Sequence, residues 1–132
     1  MKILIYNIYA MGGNGSYANG CTATEEGRNW KTVLTLTNGA KVIELKNPKA
    51  NHKAPEESHS PNAVYVMFNK NGNGIKSISK YGSDGKKVFE IHTVDHKGLG
   101  CHYHPWSGGR PGAAISLTTS MKNLLYDINS LI

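Results

Sequence analysis

The turns constrain this chain most. Asn38-Gly39, Asn71-Gly72-Asn73-Gly74 and Gly82-Ser83-Asp84-Gly85 each separate short runs rich in β-branched and aromatic residues. Asn-Gly and Asp-Gly steps supply the positive φ angles that a tight reversal between antiparallel strands demands. The runs they separate are 33–37 and 40–45, then 64–68 and 75–81, then 75–81 and 87–93. A chain punctuated in this way is predicted to form an antiparallel meander.

Residues 2–10, rich in Ile and Tyr, read as a further strand, and the Gly- and Asn-rich residues 12–20 as a surface loop. That loop lacks the Gly-Lys-Ser/Thr ending of a phosphate-cradling loop, and no helical pattern follows it. Residues 46–62 hold Pro48, Pro55 and Pro61 with His52 and His59, a composition that sustains neither helix nor central strand and predicts a long exposed loop. From Ser116 onward the period changes. Leu117, Met121, Leu124, Leu125, Ile128 and Leu131 recur three and four apart, with Ser116 or Thr118 placed to cap the first turn. The expected fold is therefore α+β, mainly β: an antiparallel meander sheet with a C-terminal amphipathic helix packed on it. It forms a single domain over 1–132, with residues 1–62 as an N-terminal elaboration and 63–132 as the histidine-rich, catalytic-like half.

A composition of 39% hydrophobic and 18% charged residues is too apolar for a disordered tail and too sparsely charged for a coiled coil. A formal charge of +6 favours polyanionic partners, nucleic acid among them. No basic run exceeds two residues, which argues against a polybasic lipid anchor or a targeting signal. The apolar opening is short and interrupted by Asn7, so it reads as a strand and not as a signal core, and no membrane partner is expected. Cys21 and Cys101 allow at most one disulfide, and neither has the close partner of a zinc ribbon or redox motif, so the compartment stays open.

Chemistry concentrates in residues 91–110, where His92, Asp95, His96, His102, His104 and Arg110 crowd together. Strand alternation over 87–93 places Phe89, Ile91 and Thr93 on one side and Val88, Glu90 and His92 on the other. Gly98 and Gly100 then permit a return strand over 101–106. On that strand His102, His104 and Trp106 share a face, with the two imidazoles roughly 7 Å apart. Pro105 is expected to end the ladder, and the loop 108–112 to carry Arg110 back toward the histidines.

Two chemistries suit such a cluster. In one, an imidazole takes the proton of a ribose 2′-hydroxyl, a second acid protonates the leaving 5′-oxygen, and a cation steadies the phosphate, with no metal or cofactor required. Histidine serves either task because its ordinary pKa lies near neutrality. In the other, His102 and His104 join His92, His96 or Asp95 to bind zinc or a similar ion that activates water. Beside the cluster, Tyr81, Tyr103 and Trp106 are placed to stack on RNA bases, Trp106 foremost because it shares the histidine face.

The order Ile75-x-x-Ile78-x-x-Tyr81, Gly85-Lys86-Lys87, Val88-Phe89-Glu90-Ile91-His92-x-x-Asp95-His96-x-Gly98, then His102-x-His104-Pro105-Trp106 resembles the C-terminal nuclease domains of bacterial polymorphic toxins and phage-associated proteins in the barnase, EndoU, colicin and RelE-like group. The resemblance covers about a quarter of the chain. It implies a small antiparallel sheet with helices, metal-independent RNA cleavage, a cognate immunity protein, and secretion or delivery into a target cell whose cytoplasm is the place of action. It points to His92, Asp95, His96, His102 and His104 as site residues.

The sequence thus reads as an endoribonuclease of the toxin type. His102 and His104 form the leading acid–base pair, with His92 and His96 as alternates. Asp95 orients an imidazole, Arg110 and Lys97 hold the phosphate, and Trp106 and Tyr81 contact the substrate. A metal-dependent hydrolase on the same histidines and a non-catalytic nucleic-acid or ligand-binding module are the alternatives.

Overall fold

Trp30–Thr35 (β1), Lys41–Leu45 (β2), Val64–Phe68 (β3), Ile75–Tyr81 (β4), Lys87–His92 (β5), His102–Ser107 (β6), Arg110–Pro111 (β7) and Ile115–Ser116 (β8) precede the helix Thr119–Leu131 (α1). They belong to a computed structural model in which residues 29–94, 98 and 100–132 are described. The strand expected over 2–10, the loop over 12–20 and Cys21 lie outside the described residues. Mainly β structure closed by a C-terminal helix is the architecture expected.

The strands follow one another across the sheet from β1 to β7, with β8 pairing on β6. Each step is antiparallel except one. β2 and β3 run parallel, joined only at Lys41↔Tyr65 and Val42↔Val66, which corrects the simple meander. A parallel step requires a crossover of a dozen residues or more, and residues 46–63 supply it. The β1–β2 hairpin turns where expected, with Gly39 at φ 93° and the Leu36 amide donating to the Ala40 carbonyl at 2.7 Å.

That crossover also departs from the exposed loop expected of its prolines. Ala54, Pro55 and Ser58 are buried. The Trp30 indole donates to the Lys53 carbonyl at 3.0 Å, the Tyr81 hydroxyl to the Pro55 carbonyl, and the Lys76 ammonium to the His52 carbonyl. The segment needs neither helix nor strand because sheet side chains satisfy its carbonyls. Trp30, Ile43, Leu45, Ala54, Tyr65, Met67 and Tyr81 form the core it covers.

Alternation carries the remaining apolar side chains to the opposite face, where Val42, Val66, Ile78, Ile91 and Ile128 form a second core. Met121, Leu124 and Leu125 of α1 pack on it, and the Thr118 hydroxyl accepts from the Met121 amide at 3.1 Å to cap the helix. The sheet is thus covered by a helix on one side and by the crossover on the other. The crossover meets the β4–β5 turn and the start of β5 through the Ser58 amide on the Gly85 carbonyl at 2.7 Å and the Lys87 amide on the Glu56 carbonyl at 3.2 Å.

Gly85 is where this cover is most sensitive. Its φ is 81°, and a Cβ there would run into the carbonyl oxygen of Ser58. Gly85→Ala is expected to destabilise the protein by about 2 kcal/mol or more, from strained backbone and lost docking of the crossover. A urea midpoint unchanged from the parent would contradict that account.

Candidate active site

Residues directly opposite one another on antiparallel strands share a face. The β5–β6 register pairs His92 with His102 and Glu90 with His104, and the β4–β5 register pairs Ser79 with Glu90. Ser79, Glu90, His92, His102 and His104 therefore stand together on the face opposite α1. His102 and His104 lie closer than the roughly 7 Å of strand spacing. Ring centroids are 5.4 Å apart for His92–His102, 5.0 Å for His92–His104 and 5.1 Å for His102–His104. The rings lean together across the strands.

Each ring makes a hydrogen bond that orients it. His102 Nδ1–H donates to the Gly100 carbonyl at 3.0 Å and His104 Nδ1–H to the Gly112 carbonyl at 2.8 Å. A carbonyl oxygen only accepts, so these contacts fix the proton on Nδ1 and make Nε2 the basic nitrogen of the neutral ring. His92 is turned the other way, its Nε2 donating to Glu90 Oε1 at 2.8 Å, which leaves Nδ1 as its second functional nitrogen. One ligand nitrogen from each ring lies within 4.8 Å of the others, and among the described residues this is the group able to hold a metal ion.

Glu90 anchors the arrangement. Its Oε2 accepts from the Lys87 ammonium at 2.8 Å and from the Ser79 hydroxyl. Burial pushes this carboxyl up, but the His92 hydrogen bond, the Lys87 charge and the Lys87 and Ser79 hydrogen bonds outweigh it and hold the pKa at about 2. Lys76 also senses the carboxylate: burial pushes its ammonium down, and Glu90 pulls it back up. Because the folded pKa of Glu90 lies below its ordinary 4.5, ionisation stabilises the fold. That contribution, about 3 kcal/mol, is fully present above pH about 5 and is lost as pH falls from about 4.5 toward 2. Acid unfolding followed by circular dichroism is expected to shift toward neutrality in Glu90→Gln, whose native state has already lost this contribution.

The structure sorts the expected site residues. His92, His102 and His104 come together, with His102 1% exposed and the other two half-buried. Asp95, His96 and Lys97 lie outside the described residues. Arg110 does not fold back onto the histidines. It is exposed on β7 opposite Ser107, because Gly108 and Gly109 close a tight hairpin instead of an open loop. Pro105 does not end the ladder either: β6 continues to Ser107, the Pro105 carbonyl accepting from the Gly112 amide at 2.6 Å. Tyr81 is fully buried in the core under the crossover, its ring centroid 5.0 Å from that of Tyr65, so it cannot serve as a stacking platform. Tyr103 is turned to the helix side, edge-on to Phe89.

Trp106 keeps its place beside the site. It is half-buried, the Lys87 ammonium lies 4.4 Å from its ring centroid, and it lines a cleft of about 210 Å³ with Lys53, Glu56, Lys87, Glu90 and Pro111. A larger cavity of about 520 Å³ between the diverging ends of β2 and β3 includes His52 but none of the triad. Strand alternation places Glu90 on the His92 face but assigns a role to neither Glu90 nor Lys87. The available signal was the Glu-x-His spacing on a strand, which sets a carboxylate beside an imidazole.

No protein-family model, curated protein or solved structure matches this chain.

Proposed function

We propose that the protein is a phosphodiester-cleaving enzyme acting on RNA, with His92, His102 and His104 as its reaction centre. The observation that carries this reading is the convergence of three imidazoles, two presenting a basic Nε2 and the third backed by a buried carboxylate. RNA brings its own nucleophile, so cleavage needs a base at the 2′-hydroxyl, an acid at the 5′-oxygen and stabilisation of the phosphorane charge.

In the proposed step, Nε2 of His104, assisted by His102, takes the 2′-hydroxyl proton while the 2′-oxygen attacks phosphorus. The P–O5′ bond breaks, and the departing oxygen takes a proton from His92, whose positive charge the Glu90 carboxylate balances. The products are a 2′,3′-cyclic phosphate and a free 5′-hydroxyl. Trp106 and its cleft offer a place for a base next to the scissile phosphate, and the net charge of +6 favours the polyanion.

The toxin reading rests on the resemblance of residues 75–106 to toxin nuclease domains. It carries with it a cognate immunity protein and action in the cytoplasm of a target cell. None of the helices formed by described residues is long and apolar enough to cross a membrane.

Purified protein incubated with total RNA in excess chelator is expected to cleave it, leaving 2′,3′-cyclic phosphate ends. Intact RNA at high protein concentration, with or without added metal, would leave a binding module as the better reading.

A further inference from the structure

We infer that the same three imidazoles form a binding site for one divalent transition-metal ion of the zinc or cobalt type, and that the bound ion blocks RNA cleavage. The second half of this inference rests on the reaction proposed above; the first half does not.

Geometry carries the argument. Three imidazoles ligating one ion at about 2.0–2.1 Å in a tetrahedral array have ring centroids about 5 Å apart. The three centroid separations here are 5.0, 5.1 and 5.4 Å. One ligand nitrogen of each ring lies within 4.8 Å of the others, so rotation of the side chains is what draws the three nitrogens onto one ion. Imidazole nitrogen is the ligand type that zinc, cobalt, nickel and copper prefer over magnesium or calcium. Three protein ligands leave a fourth tetrahedral position for water.

The outer contacts fit as well. A histidine that ligates a metal through one nitrogen normally donates through the other to a carboxylate or a backbone carbonyl, which fixes the tautomer and aims the lone pair. All three rings have such a contact: His92 to Glu90, His102 to the Gly100 carbonyl, His104 to the Gly112 carbonyl. With the proton held on those nitrogens, the lone pairs fall on His92 Nδ1, His102 Nε2 and His104 Nε2. Glu90, buried and bonded to Lys87 and Ser79, is a rigid outer partner of the kind that raises ligand basicity.

Occupancy and acid–base catalysis exclude each other. The lone pair that accepts the 2′-hydroxyl proton is the one a metal would take, and a ligated His92 has no Nδ1 proton to give. A metal at this centre therefore inhibits the reaction proposed above.

The test uses the full chain, freed of metal by chelator and dialysed, with cobalt(II) and zinc(II) chlorides as probes. Cobalt is expected to bind one equivalent per chain with the visible absorption of a tetrahedral centre, and zinc to displace it. His92→Ala and His104→Ala are expected to weaken binding by about 100-fold or more, since loss of an outer-shell partner alone costs 10–100-fold. His59→Gln, in the exposed part of the crossover, should bind as the parent does. Circular dichroism checks that each variant is folded.

One equivalent of zinc that abolishes cleavage supports both halves. Binding with cleavage seen only in the metal-loaded protein supports the site and overturns both the inhibition and the metal-free mechanism. Absence of cobalt binding at tens of micromolar, or binding unaffected by both alanine variants, overturns the site. Metal-free cleavage in that case would leave the ribonuclease reading standing.

Discussion

Glu90→Gln is expected to cost about 3–5 kcal/mol of stability, a large part of the 5–15 kcal/mol typical of a small domain. The substitution is nearly isosteric, so lost packing is not the cause. Lys87 is: its side chain is 3% exposed and its ammonium rests on Glu90 Oε2 at 2.8 Å. Neutralising Glu90 removes the carboxylate on which this buried cation rests, and the Trp106 ring, its centroid 4.4 Å from the ammonium, does not replace that charge. The glutamine amide would also set an N–H group against either the ammonium or the His92 N–H, placing donor on donor. Urea unfolding at neutral pH should show the midpoint fall with little change in slope. Lys87→Met in the same chain is expected to restore much of the loss, because removing both charges is far milder than removing one. A Glu90→Gln midpoint close to the parent's would show that the pair is solvated and that Glu90 does not hold the site.

His102→Ala with His104→Ala is expected to lower the rate of RNA cleavage by about 10³-fold or more, since each acid or base in such a step contributes about 10²–10⁴. The double variant should be little worse than the poorer single one, because groups that act on one proton transfer are not additive. The two singles differ in what else they disturb. His102 is buried, and its truncation leaves a cavity as well as a lost base. His104 is half-buried, so its alanine variant reads chemistry with little change in stability. Single-turnover cleavage measured beside an unfolding curve separates the two. The ribonuclease reading fails if the double variant still cuts RNA and still poisons cells.

Much of this architecture was legible in the sequence because its determinants are local. Asn38-Gly39 and the glycine turns state where strands reverse, two-residue alternation states which side chains share a face, and the apolar spacing from Leu117 to Leu131 states a helix. His102 and His104 were placed on one face by that alternation alone. Even so, the packed crossover and the parallel β2–β3 step were hidden. Three prolines say what residues 46–62 cannot form, but not that Trp30, Lys76 and Tyr81 will hold their carbonyls against a sheet.

The site divides along the same line. Local periodicity determined the histidine face, and Gly98 and Gly100 pointed to the return of the next strand beside β5. Tertiary structure decided that the pairing sets His92 opposite His102 and Glu90 opposite His104. It also decided that Arg110 stays exposed on its hairpin and that Tyr81 belongs to the core. Above all it turned Glu90 from one more polar strand residue into the buried anchor of the centre. The register of two strands is set by how the chain between them closes, and the burial of a carboxylate by the side chains that neighbouring strands and the crossover pack around it, neither of which the alternation within one strand records.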